Sequence, residues 1–180
     1  MSFFDVTSGV KVQEIFPMTN QTAATTLNPR GGLCSGGSST GNEVTKTACD
    51  AASGTWTPEN FLYSLDVRAY MGGIFILTAD EVGANCTLTV TMQKAVEPGF
   101  ESYADLNKRD TETVAAFTPI TSSNDNAVYY CKVDFSQAQN SVGIKAVTVN
   151  SSGTNRARWG LTAVLFPIDT SNDSTPQFEI

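Results

Sequence analysis

The run Cys86–Lys94, CTLTVTMQK, alternates strictly: Cys86, Leu88, Val90 and Met92 fall on one parity, Thr87, Thr89, Thr91 and Gln93 on the other. A period of two matches a strand, whose successive side chains point to opposite sides, and is incompatible with an amphipathic helix. The β-branched threonines of the polar parity suit a pleated, half-buried surface. Ala127–Phe135, AVYYCKVDF, repeats the pattern with Tyr129, Cys131, Val133 and Phe135 on one side. Val142–Asn150 and Arg158–Phe166 extend it, and the Asn/Ser/Gly cluster Asn150–Asn155 between them predicts a turn. Leu65, Val67 and Ala69 alternate with Asp66, Arg68 and Tyr70, predicting a further strand. The uninterrupted apolar run Ile74–Leu77, IFIL, predicts a strand covered on both faces. No segment has helical periodicity beyond one expected turn at Tyr103–Lys108. The fold class is therefore all-β, with a β-sandwich or jelly-roll-like body over residues 59–167.

Three further segments flank that body. Residues 1–28 read as an extended N-terminal arm with a short strand, in which Val10, Val12, Ile15 and Phe16 are followed by Pro17. Residues 29–58 lose apolar periodicity to Gly, Ser, Thr and Asn, marking a long loop or inserted lobe. Residues 168–180 form a C-terminal tail that is polar until Phe178 and Ile180. Cys34 and Cys49 bracket a part of the lobe with almost nothing apolar to hold it folded. A disulfide between them is expected, and it removes about 3 kcal/mol of loop-closure entropy from an unfolded loop of this length. Trp56 is expected to pack on the closed loop; two free thiols are the alternative reading. Cys86 and Cys131 lie on the apolar parity of their strands and are expected as buried free thiols.

The chemistry of the chain is narrow. With no histidine, the Ser-His-Asp and Cys-His arrangements are excluded, as are histidine-liganded zinc sites. The cysteines lack the close pairing of a structural zinc site or a CxxC redox motif, and no phosphate-binding glycine loop occurs. No cofactor or metal is expected. A glycosidase needs only two acids facing each other across a cleft, and Asp105, Asp110 and Glu112 cluster as candidates, but a solvated loop explains them more simply. SSNDNA and DTSNDST are rich in oxygen ligands but lack EF-hand order, and read as turns. The expectation is a protein that is not an enzyme. A net charge of −7 argues against direct nucleic-acid binding, which demands clustered Lys and Arg. The N-terminus lacks the basic and apolar regions of a secretory signal, and no run approaches a membrane span. Synthesis in the cytosol is expected, with no membrane partner.

NDNAVYYC, Asn124–Cys131, resembles the end of an immunoglobulin variable domain, but no tryptophan lies between Cys86 and Cys131 as that fold requires. A broader pattern runs from Leu65 onward. A D-x-R-x-Y-x-G strand (Asp66, Arg68, Tyr70, Gly72) leads into an apolar strand, then TLTVTMQ, a turn-rich passage, a VYYCKVD strand and two last hydrophobic strands ending in TAVLF. This order resembles small β-rich structural proteins of tailed bacteriophages, in particular capsid decoration (cement) proteins. Thr47–Trp56 is also similar to inserts in phage virion proteins. The resemblance implies a homotrimer on the outer capsid surface of the virion, at three-fold axes, bridging subunits of the major capsid protein. Phe3, Phe4, Val10, Val12, Ile15, Phe16, Phe178 and Ile180 are the candidate subunit contacts, the alternative being that the N-terminal ones complete the chain's own sandwich. A tail or baseplate component, and a secreted carbohydrate-binding module using Tyr63, Tyr70, Tyr129 and Tyr130, are the other readings.

Overall fold

The structure, a computed structural model, describes residues 10–39, 45–95, 103–108, 113–138 and 140–168, with the backbone alone at 59, 60 and 151–155. Its elements in chain order are β1 (Lys11–Leu27), β2 (Arg30–Ser35), α1 (Lys46–Ala51), β3 (Thr55–Leu62), β4 (Ser64–Asp66), β5 (Tyr70–Val82), β6 (Thr87–Ala95), β7 (Tyr103–Asp105), β8 (Ala127–Asp134) and β9 (Ser141–Pro167). The all-β expectation holds. Seven strands make one antiparallel sheet in the order β7-β6-β9-β5-β8, with β1 and β4 also paired to β9, while β2 and β3 form a separate two-stranded sheet.

The sheet curls because β9 serves two layers. Residues 157–167 of β9 lie between β5 and the N-terminal half of β1. Residues 141–149 lie between β6 on one side and β4 and the end of β1 on the other. Alternate residues of each layer are buried: Phe75, Leu77 and Leu161 in the first, Leu88, Val90, Met92 and Ile144 in the second, and all belong to one core cluster. Two apolar faces with a single shared core must fold over each other, as in a sandwich. Residues 115–120 cover the far side of β6, where Phe117 N–H donates to the Val90 carbonyl at 3.0 Å and Leu88 and Ile120 exchange bonds at 2.9 Å.

Several sequence expectations need correction here. The N-terminal segment is not an arm with a short strand: β1 runs 17 residues along β9. Phe16 is the reason. It is 6% exposed and its ring stacks on Trp159 at 4.3 Å, with Tyr63 edge-on at 5.8 Å, so β1 is anchored in its own chain's core. Pro17 does not end the strand, because the register shifts on either side of Phe16 absorb the missing N–H in a bulge. The turn predicted at Asn150–Asn155 is instead part of β9, which continues for 27 residues. There the short stretch Gln21–Thr25 of β1 faces the much longer stretch Thr148–Ala157, so the polar cluster bulges from the ladder instead of reversing it. Asn150, at φ 55, supplies the left-handed bend. Tyr103–Lys108 forms no helical turn; Tyr103–Asp105 pairs with β6 as β7. The strand expected to reach Ala69 stops at Asp66, whose carboxylate accepts the Arg68 N–H at 3.0 Å and turns the chain.

The lobe between β1 and β4 is held by the expected disulfide. Cys34 and Cys49 are bonded, 2% and 0% exposed, and join β2 to α1. Thr45 caps α1 by accepting the Ala48 N–H at 3.2 Å. Trp56 stands opposite Cys34 on β3 and covers Gly32, where any side chain would collide with the indole. Gly54 is equally constrained: a Cβ there would lie 2.6 Å from the Cys34 sulfur and 3.0 Å from the Cys49 sulfur. The lobe thus has a miniature core of one disulfide and one indole, too small to stand without the cross-link. Cys86 and Cys131 are buried and unbridged.

Two outcomes follow from this packing. Phe16→Ala and Trp159→Ala should each lower the unfolding free energy in urea by about 3–5 kcal/mol. Replacing Cys34 and Cys49 together with Ser should destabilise the lobe by about 3 kcal/mol. Trp56 fluorescence would report that loss at low denaturant, while the strand signal in circular dichroism persists to higher concentration.

Candidate interaction surface

The first layer presents its outer face to solvent. β8 is one edge, β5 and residues 157–167 of β9 are central, and the N-terminal half of β1 is the other edge. Alternation places Phe75, Leu77, Ala163 and Leu165 inside, so their neighbours point out. The registers align Lys132, Ile74, Val164 and Val12 in one row, and Tyr130, Ile76, Thr162 and Glu14 in the next. Val128, Thr78 and Gly160 form a third. Tyr130 is 73% exposed, Val12 66% and Val128 62%. Ile74, Ile76 and Val164 are half-buried. A face of four strands and three rows with this many apolar groups is unusual for solvent.

Met18 crosses above Gly160, which has no side chain to obstruct it: a Cβ there would lie 3.0 Å from the Met18 nitrogen. Between Met18 and Val128 lies an open groove of about 430 Å³, with Thr78, Asp80, Asn126 and Arg158 around it. Arg158 and Asp80 form an ion pair at 2.8 Å, and Arg156 bonds Glu81 at 2.6 Å. These pairs mark the polar end of the face. The opposite edges of the apolar part carry unlike charges, Lys132 on β8 and Glu14 on β1, both exposed.

The expected site residues are dispersed. Val12 lies on this face. Val10 is half-buried, Ile15 packs against the core, and Phe16 is inside it, so Phe16 is corrected from a subunit contact to a core residue. Phe3, Phe4, Phe178 and Ile180 lie outside the described residues. Of the carboxylate cluster, Asp105 accepts the Gln93 amide at 2.9 Å, and Asp110 and Glu112 lie outside the described residues. The four tyrosines do not form a platform. Tyr63 packs on Phe16, Tyr70 packs against the core, Tyr129 turns inward and donates to the Asn124 carbonyl, and Tyr130 points out. The oxygen-rich passage SSNDNA is a turn, where Asn124 Oδ1 accepts the Thr121 N–H at 2.7 Å. Among the described residues there is no group of three or more metal-ligating side chains, and no helix is long and apolar enough to cross a membrane.

What composition and periodicity missed is the outer face itself. Its signal was present in two places. IFIL implies cover on both sides of β5, yet among the described residues only the side of Phe75 and Leu77 is covered. Val128 and Tyr130 are apolar or aromatic on the parity opposite Cys131 and Val133.

Three of the described titratable groups are perturbed. Burial pushes the Cys131 thiol up, against a smaller opposing effect of Lys108, so it is protonated and unreactive at neutral pH. Burial also raises Tyr103, whose hydroxyl pairs with Ser141 at 2.7 Å. The D-x-R-x-Y-x-G motif is a structural brace: Asp66 receives Arg68 Nε at 3.0 Å and Nη2 at 2.5 Å, and Tyr70 N–H closes on the Val67 carbonyl at 2.9 Å. The Arg68 hydrogen bond holds Asp66 below its ordinary 3.8.

No family model matches the chain, and no curated protein matches it. Among solved structures the chain is similar to one from "Structure of infectious bursal disease virus Gt strain", at 15% identity over 90% of this chain and 43% of that one. The chain spans less than half the length of that viral chain. The TM-score of 0.20 means that the two backbones do not superpose as a common fold.

The Asp66 brace makes a signed prediction. A carboxylate whose folded pKa is depressed contributes stability above its unfolded value and loses it as pH falls through the folded one. Asp66→Asn should therefore destabilise the protein at pH 6 and be neutral near pH 2, compared by chemical denaturation. Both partners are partly exposed, so the difference stays under about 1 kcal/mol.

Proposed function

We propose that this chain is a structural protein of a tailed-bacteriophage virion, a decoration protein that binds outside the major capsid lattice and acts as a homotrimer. The reading rests on the order of strand types from Leu65 to Phe166, which resembles that of such proteins. The observation that carries it further is the apolar outer face of β8, β5, β9 and β1, which the described residues leave uncovered. A face of this composition belongs to a protein that adheres. The disulfide-stapled lobe suits a particle that leaves the reducing cytosol on lysis.

The function on this reading is mechanical. Packaged genome pushes outward on the shell, and a trimer bridging several capsid subunits couples their contacts. When one contact releases, the tether keeps its partner at high effective concentration, so three modest contacts resist as one strong one. Closed three-fold symmetry uses each patch three times.

Separating the particles' heads from their tails and probing each for this chain tests the proposal. The chain should travel with heads, at a copy number divisible by three, and heads stripped of it should burst at lower temperature. Recovery with tails or baseplates, or absence from particles, overturns it.

A further inference from the structure

The two edges of the outer face fit each other. Among the described residues, neither β8 nor the N-terminal half of β1 pairs with a further strand on its outer side, so each offers unpaired backbone groups to a new strand. β8 is antiparallel to β5, β5 to β9 and β9 to β1, so the two edge strands run in opposite directions. Copies related by rotation about an axis along the strands therefore set β8 of one against β1 of the next in antiparallel sense, the orientation in which a ladder forms. Charge selects the same arrangement. Lys132 stands on one edge and Glu14 on the other, one row apart along the strands, about 6.8 Å. That is the diagonal spacing at which long side chains interact across a strand pair. Joining like edges about a two-fold axis separates these charges; head-to-tail joining brings them together, and a head-to-tail contact that closes makes a ring.

We propose that this face is the self-association surface of the protein, with the β8 edge of each copy seated on the β1 edge of the next and Val12, Ile74, Ile76, Val128, Tyr130 and Val164 turned toward the ring's axis. The copy number of three rests on the proposed function; the face, the head-to-tail sense and the charge pair do not. The arrangement covers the side of β5 that the described residues leave open, the outer side of its apolar run. It also gives Val12 a place in the assembly while Phe16, four residues on, holds β1 in its own core.

The test is the molar mass of the full, oxidised chain by sedimentation equilibrium. The wild type should be trimeric at micromolar concentration. Ile76→Lys, on the exposed side of β5, should be monomeric with an unchanged circular dichroism spectrum. Lys132→Glu should weaken association at least about tenfold, and Lys132→Glu combined with Glu14→Lys should restore it. If Ile76→Lys does not fold, the charge exchange decides alone. A wild-type monomer or dimer, or a trimer indifferent to both sets of changes, overturns the inference. The two proposals fail separately. A monomer that still binds heads removes this interface and the homotrimer but leaves binding to the capsid, whereas a trimer that responds as expected but ignores heads keeps this interface and removes the decoration reading.

Discussion

Four strands of the main sheet, β1, β4, β5 and β6, hydrogen-bond directly to β9, and the remaining two reach it through one intermediary each: β7 through β6, β8 through β5. At 27 residues β9 is several times the usual strand length of about 5–6. It spans both layers without a break, bending at Asn150 and bulging over the stretch opposite Gln21–Thr25. This one constraint determines the shape of the molecule. Two separate sheets would need a crossover loop to bring their faces together, whereas a strand shared by both layers makes the curl a property of the sheet itself. The stack of Phe16 on Trp159 then fixes β1 against the same strand, so the ladder and the core strengthen each other.

A fold closed in this way leaves open edges at predictable places. β9 is internal along most of its length, so among the described residues the open edges of the first layer fall on β8 and β1. Natural sheets protect such edges with charge, bulges or partners. Here β1 carries bulges around Phe16 and the charge of Glu14, and β8 carries Lys132. The same features that discourage indiscriminate pairing favour one partner, a second copy presented head to tail. The lobe is built on the opposite economy. Its backbone is rich in glycine and poor in apolar side chains, and a disulfide replaces the core it lacks.

Much of this was legible in the order of residues. Strict alternation in CTLTVTMQK located β6 and its buried side, because pleating allows no other reading of a period of two. The parity of Cys131, Val133 and Phe135 identified the inner side of β8 on the same ground. The Gly/Ser/Thr composition around Cys34 and Cys49 pointed to a covalent staple, since that segment has almost nothing apolar to hold it folded. Other elements were hidden for physical reasons. Asn150–Asn155 has the composition of a turn, and local propensity cannot reveal that β1 and β6 hold its flanks in one continuous ladder. Pro17 looked like a strand end, but a bulge accommodates it. Tyr103–Asp105 is a strand only because β6 offers it an edge.

The amino-acid sequence by itself determined that this protein is all-β, which sides of β6 and β8 face inward, and that a cysteine pair closes the lobe. Those properties depend on alternation and composition within short stretches. Only the tertiary structure decided that the N-terminal residues complete the sheet, that Phe16 belongs to the core and Val12 to the surface, and that Val12, Ile74, Ile76, Val128, Tyr130 and Val164 make one face. Strand pairing joins residues far apart in the chain, and a single bulge at Phe16 exchanges which side chains point inward. No local pattern records where such a bulge will fall.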